Sequence, residues 1–355
     1  LLWHSLLIAS CGAVVYLLAF LLVGESLRKI LGGKGRLLEE SLSYCKIFLT
    51  GGILIWLSGS LSAALRGMGN MRYPAMLMSI SSGMQVILSG GFILGWLGFP
   101  KLGIAGAAVS ALISGGFMSL MMFLKLLSSS SKINLKISRF SFEKELFKDI
   151  LDVFLPASLA PVFTVGTVLV LTGLVGQFGT TALAGYGIGS RVEFLMIPLV
   201  FGIGTAMTAM VGTNIGAKNI ERAERIGWLG GVSAGFFAGI IGIVLALTPE
   251  LWINFFASDE ATYLVTKQYI QAVGFCYGFQ GLGLSLYFAS QGASAMKWPI
   301  IATVTRFTIA AVGGWVSIYW FSGGLIGIFY SAAIAMTLFG LMLLISLKMG
   351  AWRKS

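Results

Sequence analysis

Apolar residues fall along this 355-residue chain in long uninterrupted blocks separated by short polar joins. The blocks cover approximately 5–24, 43–65, 73–96, 103–125, 150–175, 181–212, 226–247, 263–288, 298–320 and 324–346. Each holds about twenty residues, the length a helix needs to cross a hydrocarbon layer of about 30 Å. Continuous apolarity is the wrong pattern for a lipid-facing strand, which alternates apolar and polar positions over about ten residues. A backbone in lipid must satisfy its own hydrogen bonds, so the pattern predicts an all-α polytopic membrane protein with about ten transmembrane helices.

Composition strengthens that picture. Hydrophobic residues make up 57% of the chain and charged residues 10%, against roughly one quarter charged in a soluble domain. The net charge of +11 does not point to nucleic acid, because the basic residues are scattered over loops and form no amphipathic face. Of the 24 Lys and Arg, Arg191 and Arg306 fall deep inside apolar blocks. If the first block runs outward from the cytoplasm, fifteen of the remaining basic residues fall on inner loops and seven on outer ones. That bias predicts a multi-pass protein of the cytoplasmic (inner) or plasma membrane with its C-terminus inside. Its longest polar stretch, the Ser- and Lys-rich 128–149, reads as a cytoplasmic linker with a short amphipathic helix on anionic lipid.

Chemistry of the catalytic kind is missing from the sequence. The single His4 rules out a His-ligated catalytic metal, and no nucleophile elbow, phosphate loop or HExxH run is present. Cys11, Cys45 and Cys276 have neither metal spacing nor a disulfide framework. On these grounds neither an enzyme nor an organic cofactor is expected.

The chain repeats itself. On an offset of 225 positions Trp3 meets Trp228, Tyr44 meets Tyr269, and SLSAALRGMGNMRYP (60–74) lies on SLYFASQGASAMKWP (285–299). A later match, GIAGAAVSALIS (103–114) on GLIGIFYSAAIA (324–335), needs a four-residue shift. Corresponding helices share an orientation, so these are parallel repeats. The second copy begins near 147, yet only 65 residues precede Arg66 in the first. The deficit is about two helix–loop units. The expectation is a fragment of a twelve-helix protein of two six-helix bundles, the first bundle lacking its first two helices. Its parts are an amino-terminal lobe at 1–127, a linker at 128–146 and a carboxy-terminal lobe at 147–355.

Four stretches, LRGMGNMRYP (65–74), LGIAGAAVSALIS (102–114), FGTTALAGYGIGSRVEFLMIP (178–198) and VGTNIGAKNIERA (211–223), resemble the multidrug and toxic compound extrusion family of the multidrug/oligosaccharidyl-lipid/polysaccharide exporter superfamily. The resemblance implies a two-lobed antiporter that exports amphipathic, often cationic molecules in exchange for sodium ions or protons, by alternating access of a cavity between lobes. A sodium site is implied in the same way, and the protein is expected to act as a monomer. Gln85 and Ser89 stand where the family often carries an Asn and an Asp, and Thr164 stands where some members carry a Glu. A flippase for a lipid-linked sugar, from the same superfamily, and a non-transporting scaffold are the competing readings.

A charge at bilayer depth costs about 2.5–3.5 kcal/mol on insertion scales and is a functional candidate for that reason. Glu193 is the one acid among thirteen that falls well inside a span. It is the candidate coupling group, with a structural ion pair as the competing role. Arg191 lies about 200° around the helix from it and cannot be its partner, whereas Arg306 can. Gln85, Ser89 and Ser110 are the amino-lobe candidates, and Thr164, Tyr186, Gln280 and Gln291 the cavity candidates, each weighed against a plain helix-packing role. Pro156, Pro161 and Pro198 are candidate kinks.

Overall fold

The computed structural model describes residues 2–30, 35–128, 143–257 and 259–353. Most of the expected linker, 129–142, lies outside the described residues. Among the described residues the secondary structure is helical. Among the described residues nine helices are long and apolar enough to cross a membrane, or ten with the bent pair Glu39–Thr50 and Gly52–Gly67, at 48° to each other, counted as one span. The ten apolar blocks therefore correspond to ten spans, one of them broken.

Two compact units divide the chain, Leu1–Ile150 and Leu151–Ser355. The first contains α1 (Leu2–Ile30), α2 (Gly35–Thr50), α3 (Gly52–Gly67), α4 (Arg72–Leu94) and α5 (Ile104–Leu127). In it α5 packs against α2, α3 and α4. Leu61, Leu65, Leu77, Met122 and Leu126 form its most deeply buried apolar contacts.

The second unit is larger. It is built on α6 (Lys144–Gly176), which starts at the end of the first unit, α7 (Thr180–Gly216), α8 (Ile220–Leu247) and the short α9 (Glu250–Ile253). These are followed by α10 (Glu260–Val273), α11 (Tyr277–Gly292), α12 (Lys297–Thr308), α13 (Gly314–Tyr319) and α14 (Gly324–Lys348). Helix α11 is central, packing on α7, α8 and α14. Small residues make this possible: a side chain at Gly281 would crowd the Ala234 carbonyl of α8, and one at Gly340 would overlap the Phe279 carbonyl. Without a hydrophobic force between helices in lipid, such close backbone approach supplies the attraction.

The sequence repeat is carried by the backbone. Offsetting α3 by 225 positions gives the bounds of α11, and offsetting α4 gives the start of α12 and the end of α13. The turns after α3 and α11 share one hydrogen-bond pattern. Gly69 and Asn70 donate to Arg66 and Leu65, and Ser294 and Ala295 donate to Gln291 and Ser290. Both turns place their pivot in the left-handed region, Gly69 at φ 83° and Ser294 at φ 57°. The breaks correspond as well: Gly51 interrupts the α2–α3 span, and the 3-10 turn Gly274–Cys276 interrupts α10–α11 at the matching register. One feature belongs to the second copy alone, the π-helical turn Ile309–Gly313 that follows α12.

Candidate functional site

The site forms in the second unit from positions that share helix faces. Tyr186 and Glu193 are two turns apart on α7, and Gln280, Leu284 and Phe288 make a stripe at four-residue spacing on α11. With Thr164 and Val168 of α6 and Arg306 of α12 they line a cavity of about 240 Å³ whose walls are mainly apolar. The sequence-predicted Glu193, Arg306, Thr164, Tyr186 and Gln280 are thus brought to one place.

Glu193 is partly buried, and the Tyr269 hydroxyl donates to its Oε1 at 2.6 Å. Tyr269 can reach because Gly189 sits one turn before Glu193: a Cβ there would overlap the Tyr269 ring. The Gly185/Gly189 pair opens a groove on α7 into which α10 settles, with Val265 over Gly185. Aromatic contacts fix the ring in place. Tyr269 meets Tyr186 edge-on at 5.2 Å between centroids and Phe329 edge-on at 5.1 Å.

Arg306 is 9% exposed, and its guanidinium lies 5.5 Å from the centre of the Phe339 ring. Among the described residues no ion pair within 4.0 Å joins it to Glu193. The two charges share the cavity, and the direct partner of the carboxylate is a tyrosine. The Gln280 Oε1 atom is buried and has no hydrogen-bond partner among the described residues. A buried acceptor left unmade is costly. The Glu193 carboxylate and the Gln280 amide oxygen thus give the cavity lining two oxygen acceptors.

The other candidates lie elsewhere. Arg191 is exposed on the far face of α7 and stacks on Phe256, 5.7 Å from the ring centre. In the first unit Ser89 and Ser110 bond to each other at 2.7 Å between α4 and α5. Ser110 also donates to the Ala107 carbonyl at 2.9 Å. That is an interhelical bridge, and its counterpart Ser331 donates in the same way to Ile328 at 2.8 Å. Gln85 is exposed on α4. Sequence reasoning passed over Tyr269 as a site residue and Gly189 altogether. The signals available were the Tyr44/Tyr269 match across the repeat and the small-residue spacing GYGIG at 185–189.

Ten candidate spans and a repeated helical register, with an acid held inside one bundle, define a polytopic membrane protein. Residues 156–316 match the MatE family model, and this places that stretch in the multidrug and toxic compound extrusion family. The chain is 28% identical over 92% of its length to a probable multidrug resistance protein NorM of Thermotoga maritima, of which it spans 70%. It is 22% identical to a probable multidrug resistance protein YoeA of Bacillus subtilis, covering 82% of this chain and 64% of the relative. An FAD transporter of Shewanella oneidensis is 24% identical over 75% of the chain, which spans 58% of it. The chain thus spans about six to seven tenths of these curated relatives. Among solved structures, an outward-facing multidrug resistance transporter of the family superposes with a TM-score of 0.88 at 22% identity, covering 99% of this chain and 79% of that one. A superfamily transporter from Pyrococcus furiosus, described as having a binding pocket of reverse polarity, gives 0.90 with the same coverage and identity.

Proposed function

We propose that this chain exports small amphipathic molecules by cation-coupled antiport, working by alternating access, with Glu193 as the group that exchanges the coupling ion for substrate. The observation that carries the reading is the Glu193 carboxylate, bonded by Tyr269 at 2.6 Å inside a largely apolar cavity that also holds an unpartnered amide oxygen. A carboxylate in such a place exchanges a proton or sodium ion against a cationic ligand, because each relieves the same buried charge. Tyr269 orients it, and Arg306 limits the cost of its charged form. The multidrug resistance names of the relatives support small-molecule drugs as substrates.

The test is dye efflux from vesicles holding the full protein, driven by separate sodium and proton gradients. Glu193→Gln is expected to abolish gradient-driven efflux while leaving the protein folded, and Tyr269→Phe to weaken it. Full efflux by Glu193→Gln would overturn the assignment of Glu193, and no efflux by the wild-type protein under either gradient would overturn the antiport. Arg306 favours one second reading, a substrate with an anionic group. In that case Arg306→Ala, rather than Glu193→Gln, abolishes transport.

A further inference from the structure

Helix α6 runs unbroken from Lys144 to Gly176 although Pro156 and Pro161 lie inside it. Pro161 has no N–H, so the carbonyl four residues earlier, that of Ala157, loses its partner within the helix. At hydrocarbon depth no water replaces that partner. A different helix supplies it: the Tyr287 hydroxyl of α11 donates to the Ala157 oxygen at 3.1 Å, from a side chain that is 6% exposed. Pro156, Pro161 and Pro198 are the prolines inside α6 and α7. Among the described residues, the carbonyl freed by Pro161 is the one that receives a donor side chain from another helix.

The position of this bond gives it leverage. One turn beyond Pro161, Thr164 begins the α6 wall of the Glu193 cavity, and Val168 continues it. Phe288, next to Tyr287, belongs to the α11 wall. On the 225 offset the counterpart of Tyr287 is Ser62, whose hydroxyl accepts from Arg66 of its own helix at 2.8 Å. The first copy thus has a serine, not a tyrosine, at this position.

We propose that Tyr287 is a positioning residue for transport: its bond to the Ala157 carbonyl clasps α6 at the Pro161 hinge, and releasing it lets the α6 wall of the Glu193 cavity move relative to α11. The clasp is independent of what is carried. Its effect on transport rests on the antiport reading, so the test separates the two.

The experiment uses the full chain in phosphatidylcholine–phosphatidylglycerol nanodiscs and follows amide hydrogen exchange across residues 155–166 in the wild type, Tyr287→Phe, Pro161→Ala and the double variant. Alanine at 161 restores the missing N–H, so the Ala157 carbonyl is satisfied within α6 and the tyrosine becomes dispensable. Tyr287→Phe is expected to speed exchange about threefold to tenfold, the range one net hydrogen bond confers. Pro161→Ala is expected to slow it, and the double variant to match Pro161→Ala. In vesicles holding the same variants, ethidium efflux should fall in Tyr287→Phe and recover in the double variant, the rescue that exchange also shows. Unchanged exchange in Tyr287→Phe, or an undiminished effect in the Pro161→Ala background, overturns the clasp. If Tyr287→Phe fails to fold, a folded double variant supports the clasp, and an unfolded one overturns it in favour of general packing. A wild-type protein with no ethidium efflux sinks the antiport reading while exchange still decides the clasp.

Discussion

Ser294 does in the second copy what Gly69 does in the first. Both end a helix with a left-handed residue, but a side chain in that region crowds the following carbonyl, at a cost of roughly 1–2 kcal/mol. A glycine pays no such penalty. Ser294→Gly is therefore expected to stabilise the protein by about 1 kcal/mol, read as a higher midpoint of thermal unfolding in detergent. Gly69→Ser should lower it by a similar amount. A midpoint unmoved in Ser294→Gly would show that its hydroxyl compensates the strain. Single residues were also where the sequence spoke most clearly about the site, since an acid inside an apolar block cannot be overlooked. Tyr269 was harder to read: its hydroxyl meets Glu193 from 76 positions away in sequence, and nothing local marks a buried tyrosine as a donor.

Between elements, close approach governs. Gly185 and Gly189 let α10 settle onto α7, and the Tyr269 ring fills the space that a side chain at 189 would take. Gly189→Val should cost about 1–3 kcal/mol through overpacking and should uncouple transport from the ion gradient by pushing Tyr269 off Glu193. Normal coupling in a folded Gly189→Val protein would mean that Tyr269 is ornamental to the site. The α10 start offers a test by pH. Asp259 caps it, accepting from Thr262 N at 2.8 Å, and that backbone bond above all holds its carboxyl below the ordinary aspartate value. The charged form is the one the folded state favours, so the cap contributes fully above the ordinary aspartate range and its contribution is lost as pH falls through the lowered value. Asp259→Ala should accordingly speed amide exchange at the start of α10 at neutral pH, with the difference from wild type closing in strong acid. A difference that persists unchanged in acid would assign the effect to the side chain's packing.

At the scale of the molecule, ten apolar blocks gave ten spans because length and hydropathy alone decide whether a helix can cross a bilayer. The 225-residue offset anticipated the bounds of α11 through α13 for a related reason: matched turn residues stop matched helices. The break at Gly51 and the π turn after Arg306 were not legible, since both depend on how neighbouring helices pack. The two copies part company most at the charged position. Ser81, the counterpart of Arg306, donates to the Ser114 carbonyl at 2.9 Å and needs nothing more, whereas Arg306 brings a full charge to the same register. Its nearest compensation is the ring of Phe339 and, across the cavity, Glu193. Two opposite charges in a medium of low polarity feel each other beyond hydrogen-bond range, so neutralising one leaves the other exposed to the full cost of burial. Arg306→Ser and Glu193→Gln should each destabilise the second unit, and the double change should cost less than the sum of the two. The coupling should be about 1–3 kcal/mol, measured by a double-mutant cycle on unfolding midpoints. Additive effects would mean that Tyr269 satisfies the carboxylate and Phe339 the guanidinium separately. Glu193 would then be free to change its charge without Arg306, and the antiport cycle would run on the tyrosine–glutamate bond alone.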